Sequence, residues 1–127
     1  MYQPQKTKEY LENTARDYYK LIDEQEEEKV LDLFANDACY TRCEAVYKGI
    51  EEIGDFYRNQ RKITGRHTIN SLWVEDRHII VEGHFDGKGA DDSPKHIAFA
   101  DFLDFNDEGK VQNRRTYLMI GSNYVKD

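Results

Sequence analysis

Cysteine, long apolar runs and positive charge are all scarce in this 127-residue chain, and each shortage removes a class of protein. The two cysteines, Cys39 and Cys43, fall in the strand-like run Ala38-Cys39-Tyr40-Thr41-Arg42-Cys43. On an extended strand, residues four apart share a face but lie roughly 13 Å from one another, beyond the reach of a disulfide. A C-x3-C pair without a neighbouring His is also poor zinc spacing. Both thiols are therefore expected to be reduced and partly buried. No apolar run approaches the roughly 20 residues of a membrane span, and Met1 to Glu9 is too polar for a signal peptide. A cytoplasmic, soluble protein with no membrane partner is expected. Lys and Arg number 18 against 25 Asp and Glu, a formal net charge of −7, which argues against a nucleic-acid partner because phosphate backbones need a basic face. No repeat, low-complexity segment or linker interrupts the chain. Residues 1–127 read as one domain, burying about two-thirds of its surface.

Aromatic residues are plentiful: nine Tyr, six Phe and one Trp, enough for a real core. From Thr7 to Ile22, the residues Tyr10, Leu11, Ala15, Tyr18 and Ile22 recur at helical spacing. Asp23 followed by Glu26 resembles a helix start, with Val30, Leu31 and Phe34 as the apolar side of a second, short helix that Asn36-Asp37 breaks. A strand is expected from Cys39. Tyr47-Lys48-Gly49 turns into a third helix carrying Ile50, Ile53, Phe56 and Tyr57. Beyond Ile63-Thr64-Gly65 the period is that of strands: His67 to Val74, then His78 to Phe85, a polar loop from Asp86 to Pro94, and a closing hairpin. Helices first and strands after mean α+β. The expected architecture is a cone-shaped α+β barrel, with three N-terminal helices packed on a strongly curved, mostly antiparallel sheet.

The first strand of the hairpin, His96 to Phe105, is apolar on both faces and carries Asp101 in its middle; the second runs from Lys110 to Ile120. A carboxylate in that position must be ion-paired, held neutral by its surroundings, or in use.

The helix pair from Tyr18 to Leu33-Phe34-Ala35-Asn36-Asp37-Ala38, the run Tyr47-Lys48-Gly49-Ile50-Glu51-Glu52-Ile53 with Phe56-Tyr57, and the hairpin Phe105-Asn106-Asp107-Glu108-Gly109-Lys110-Val111 together resemble the nuclear transport factor 2-like (NTF2-like) superfamily. That superfamily includes ketosteroid isomerases, SnoaL-like polyketide cyclases and scytalone dehydratases, and the likeness covers roughly residues 10 to 121. In the ketosteroid isomerase pattern, a first-helix tyrosine and an aspartic acid of the penultimate strand form an oxyanion hole. These fall on Tyr18 and Asp101, and a supporting tyrosine falls on Tyr57. The resemblance implies that Asp101 is a neutral hydrogen-bond donor. The proton-shuttling aspartate of that pattern falls on Arg42, which cannot act as a base near neutral pH. The limonene epoxide hydrolase pattern also departs, at Ile79, Val81 and Thr116, and the acid that SnoaL-like cyclases tend to carry in the last strand is again Thr116.

Strand parity puts Asp101 on one face with Ile97, Phe99 and Leu103; the resemblance implies that this face points into the cone, together with Arg114, Thr116 and Leu118 of the last strand. Asp101 is then either a neutral donor beside Tyr18, raised by desolvation, or the partner of Arg114 in a buried ion pair. His67 is the natural replacement for the missing base, with Glu44 as a weaker substitute. His78, Glu82 and His84 share a face by parity, but their spacing is not that of a ligand set, and they fall opposite the apolar Ile79, Val81, Gly83 and Phe85. No metal or other cofactor is expected.

Taken together, these readings describe a small enzyme for proton-transfer chemistry (isomerisation, dehydration or cyclisation) on an apolar carbonyl-bearing metabolite, as in secondary-metabolite biosynthesis. The expected catalytic residues are Tyr18, Asp101, His67 and Tyr57, with Arg42, Arg114, Phe34, Phe56, Phe99 and Leu118 contacting substrate. A homodimer through the outer sheet face is expected. The alternative is a non-catalytic dimeric binding module of the same superfamily, or a transport or scaffold protein.

Overall fold

The computed structural model describes residues 7–119 and 123–126. Met1 to Lys6, Ile120 at the end of the expected hairpin, and Gly121 lie outside the described residues. Helix α1, Lys8–Asp23, opens at Thr7, whose hydroxyl accepts from the Tyr10 amide at 3.1 Å and satisfies one of the free N–H groups of the first turn. Leu11, Ala15, Tyr18, Tyr19 and Ile22 are buried along it, forming a single apolar stripe. The short α2, Glu27–Leu31, buries Val30 and Leu31.

Strand β1, Phe34–Arg42, begins earlier than the residue pattern suggests. Phe34 belongs to this strand rather than to the second helix, because it pairs with Val111 of a distant strand. Asn36-Asp37, read above as a helix stop, is an exposed pair within β1, where the register with that partner slips. Cross-strand pairing has overridden local propensity there. Cys43 is likewise not a strand residue: it turns at φ 52° into β2, Ala45–Lys48, which pairs antiparallel with β1. The two cysteines therefore do not share a strand face, and both are free thiols.

Helix α3, Gly49–Asp55, runs directly into a π-helical turn at Phe56–Gln60. Then come β3 (Thr64–Glu75), β4 (His78–Lys88), β5 (Pro94–Phe105) and β6 (Val111–Leu118), with a short α4 (Asn123–Lys126) after them. Gly109, at φ 79°, supplies the left-handed residue of the β5–β6 turn.

The six strands form one mixed sheet in the order β2-β1-β6-β5-β4-β3. The β1–β6 pairing is parallel and the other four are antiparallel. This order corrects the expected cone-shaped, strongly curved barrel. Closure requires the edge strands to pair with each other, and among the described residues β2 and β3 are unpaired edges at opposite ends of an open sheet. The class is α+β, with three helices preceding most of the sheet: α1 packs on β3 and β4, α3 on β1, and α2 against α1 and α3.

Parity along β4 sorts the two faces. Ile79, Val81 and Phe85 are buried, while His78 and Glu82 are exposed and His84 is half-buried. The inner face of β5 and β6 holds Phe99, Asp101, Leu103, Arg114 and Thr116. The outer face carries Trp73, Ile80, Phe102 and Arg115 in one cross-strand row. Truncating fully buried Ile79 to Ala should lower the unfolding free energy in urea by about 2–5 kcal/mol, whereas Glu82→Ala, on the opposite face, should change it by less than about 0.5 kcal/mol. Equal effects at the two positions would contradict this register.

Candidate functional site

Asp101 sits in the middle of β5 between Val81 of β4 and Thr116 of β6, with no exposed surface. An isolated charge cannot remain there, and three donors converge on it. Tyr19 Oη donates to Oδ2 at 2.5 Å, Arg114 Nη2 donates to the same oxygen at 2.8 Å, and Thr116 Oγ1 donates to Oδ1. Asp101 is thus a pure acceptor, and of the two readings left open by the sequence, the ion pair with Arg114 is the one that forms.

The tyrosine that reaches Asp101 is Tyr19, not Tyr18. Consecutive helix positions point about 100° apart, and α1 meets the sheet so that both rings are buried in different directions. Tyr18 Oη bonds instead to Tyr57 Oη. The expected convergence of Tyr18 and Asp101 on a single point is corrected accordingly.

Arg114 is held from every side. Its guanidinium lies 4.6 Å from the centre of the Tyr18 ring and 4.5 Å from that of Tyr40, a double cation–π contact. Nη1 donates to Tyr57 Oη at 3.2 Å. Burial alone would lower its pKa, but Asp101 and then the three tyrosines push it well above the usual arginine value. Burial is also the main cause that raises Tyr18 and Tyr19 well above, and Tyr57 above, the usual phenol value, so all three stay protonated. Arg114 Nε has no acceptor among the described residues, a loss of about 1–3 kcal/mol for a buried donor.

A narrow cavity of about 50 Å³ opens beside this cluster. Its polar wall is Tyr40, Arg42, Tyr57, Arg61, His67, Arg114 and Thr116; its apolar wall is Ile22, Ile63, Phe85, Ile97, Phe99 and Leu118. Asp101 and Tyr18 lie behind the wall rather than on it. Phe34 and Phe56 are core residues: Phe34 packs edge-on to Tyr18 at 5.9 Å, and Phe56 packs against Tyr40 and Tyr47 at 5.6 and 5.0 Å. Arg42 donates from Nε to Tyr40 Oη at 3.0 Å and lies 5.0 Å over the Phe56 ring. Glu44, in the β1–β2 turn, is exposed and not on this wall.

His67, on β3, is fixed by Asp23, the last residue of α1. Asp23 Oδ1 lies 2.6 Å from His67 Nδ1, and Oδ2 accepts the His67 backbone N–H at 2.8 Å. With Nδ1–H donating to the carboxylate, Nε2 is the nitrogen left to face a ligand. Burial lowers the His67 pKa below its ordinary 6.5; Asp23 pulls it upward, and Arg61 and Arg114 push it down. The imidazole is therefore neutral at pH 7.

Three contributors went unrecognised in the sequence. Asp23 was read as a helix start, but it ends α1, and nothing local marks its pairing with a residue 44 positions away. Tyr40 stood in the strand-like run between the two cysteines with no role assigned to it. Arg61 owes its position to the π-helical turn, where its amide donates to Phe56 O at 2.8 Å across five residues. Such turns occur frequently at functional sites, but no residue pattern announces them.

The family model for the SnoaL-like domain matches residues 15–113, and the chain belongs to that family within the NTF2-like superfamily. Solved structures share its fold at low identity. An NTF2-like protein of unknown function from Burkholderia pseudomallei is 17% identical, with a TM-score of 0.79 over 87% of this chain and 91% of that one. A protein of ketosteroid isomerase-like fold from Catenulispora acidiphila, in complex with trimethylamine, is 19% identical, with a TM-score of 0.72 over 82% and 83%. An LEH-like epoxide hydrolase of M. tuberculosis is 11% identical, with a TM-score of 0.76 over 87% and 83%. No protein with a curated description matches the chain. Among the described residues no helix is long and apolar enough to cross a membrane.

Two measurements test the site's electrostatics. Arg114→Met strands Asp101 without its charge partner and should cost about 3–5 kcal/mol by chemical denaturation. In Asp101→Leu/Arg114→Met much of that loss should return, because both charges leave the interior together. The second concerns His67. Its folded pKa lies below that of the unfolded chain, so the unfolded state binds the proton first. Stability from this group is complete above about 6.5 and falls as pH drops through the folded pKa. An NMR titration should place the His67 midpoint below 6.5, and Asp23→Asn, which removes the upward pull, should lower it further.

Proposed function

We propose that this SnoaL-like protein is an enzyme that moves a proton next to a carbonyl group, in an isomerisation, dehydration or cyclisation of a small metabolite with an apolar body. The observation that carries this reading is His67, anchored from behind by Asp23, on the wall of a cavity that also holds Arg114 and Tyr57. A neutral imidazole whose Nδ1 is occupied by a carboxylate has the form of a positioned general base, with Nε2 as the acceptor. As it removes a proton, negative charge grows on the carbonyl oxygen. Arg114 and the Tyr57 hydroxyl lie on the same wall, and donors fixed in advance are worth about 3 kcal/mol each to such a transition state. Asp101, Tyr18 and Tyr19 act as positioning residues: they hold Arg114 and touch no reacting atom. Arg42 is a binding residue, and Phe99 and Leu118 pack against the substrate's apolar part.

The non-catalytic reading has two observations in its favour: the cavity is small, and Asp101 beside it is already engaged by three protein donors. In either reading the exposed Trp73 and Tyr117 of the outer sheet face offer apolar area to a second copy.

The test is proton exchange, which needs no knowledge of the full reaction. In D2O, with a panel of small ketones and oxo acids, the protein should catalyse deuterium incorporation beside the carbonyl. The rate should rise with pH through the His67 midpoint and fall by about 10²–10⁴-fold in His67→Gln. No exchange across the panel, or equal exchange by His67→Gln, would sink the enzyme reading.

A further inference from the structure

We infer that the cavity is built for a carboxylate, so that the substrate is a small carboxylic acid with an apolar body, held by Arg42 and Arg61. This rests on the reading of the cavity as the reaction site and names the class of molecule that enters it.

Five of the eight arginines sit within 4 Å of a carboxylate: Arg16, Arg58, Arg77, Arg114 and Arg115. Among the described residues Arg42, Arg61 and Arg66 do not, and two of these three line the same cavity. Carboxylates are in excess, 25 against 18 basic residues, so a shortage of acids does not explain two unpaired guanidiniums in one half-enclosed space.

Both have neutral partners that fix them without cancelling their charge. Arg42 donates to Tyr40 Oη, and Arg61 Nη1 donates to the Ile63 carbonyl at 3.1 Å, with its guanidinium 5.7 Å from the Phe85 ring. Each leaves several N–H donors free, and the planar fork of a guanidinium matches the two oxygens of a carboxylate. Arg114 adds a positive wall already balanced by Asp101, and among the described residues no carboxylate lines the cavity itself. The space left over carries net positive charge in a chain whose total is −7.

Size and lining narrow the ligand further. A cavity of about 50 Å³ walled by Ile63, Phe85, Ile97 and Phe99 suits a carboxylate on a few carbons. A second space of about 240 Å³ shares Ile22, Tyr57, Arg61 and Ile63 with it but is also walled by Glu26 and Glu27, so it would take the apolar body of a longer acid and not its carboxylate. His67 lines the same cavity as Arg42 and Arg61, so one bound acid would meet both the guanidiniums and the imidazole.

Butyrate and its neutral isostere butyramide separate charge from shape. By NMR titration at pH 7, the wild-type protein should bind butyrate at least tenfold more tightly than butyramide. The preference should fall at least threefold in Arg42→Gln and in Arg61→Gln, and should disappear in the double variant. Arg42→Lys/Arg61→Lys, which retains charge, should keep part of it. Equal binding of acid and amide, an unchanged preference in the folded Gln variants, or tighter binding of inorganic phosphate than of butyrate would overturn the assignment. The two readings fail separately. Deuterium exchange that depends on His67 without acid preference removes only the carboxylate, and acid preference without exchange removes only the proton transfer.

Discussion

The ion pair between Asp101 and Arg114 is the interaction on which the rest of the interior is arranged. Two opposite charges leave water together, a step whose desolvation cost is recovered only if the remaining donors and acceptors also find partners. Here that requirement recruits Tyr19 and Tyr18 from α1, Thr116 from β6, Tyr40 from β1 and Tyr57 from the π-helical turn. One charge pair thus fixes the mutual position of a helix, three strands and a turn. A buried pair is poor evidence for stability as such. Its effect is specificity, because any other arrangement of these elements leaves a carboxylate or a guanidinium stranded in an apolar interior.

Around this rigid core the cavity divides its polar groups by how fully they are engaged. Asp101 is engaged by three protein donors. Arg42 and Arg61 are fixed by neutral partners and keep donors free. His67 is anchored on one nitrogen only. The groups also influence one another: after burial itself, Arg61 and Arg114 help to keep the imidazole deprotonated against the pull of Asp23. The positive wall that would hold an acid therefore also maintains the base in its working form.

Much of the inner face was legible in the residues. Strand parity separated His78 and Glu82 from the apolar side of their strand, because a half-buried strand must alternate, and the family resemblance set Arg114 and Thr116 on the same side as Asp101. The four long strands and the first helix follow from periodicity for the same reason. Long-range choices were not legible. Phe34 is compatible with a helix until it meets Val111, and Tyr18 and Tyr19 are equivalent by composition, so only the docking angle of α1 decides which one reaches Asp101. The open sheet was hidden because curvature and closure depend on how edge strands end, which no local pattern reports. Asp23 and Arg61 acquire meaning only through partners brought to them by the fold.

The strand order has a consequence for how the molecule is made. β6 is the last of the six strands in the chain, yet it lies in the middle of the sheet, between β1 and β5. Until it emerges during synthesis, β1 and β5 are both open edges, and Asp101 is a carboxylate facing an apolar surface without its guanidinium. The sheet cannot be zipped from one end: the first and fifth strands must wait for a strand that joins them, a non-local step of the kind that slows folding. The residues that shape the cavity are thus assembled in one late event, and a nascent chain stalled before Arg114 would have helices and a β3–β4–β5 meander but no site.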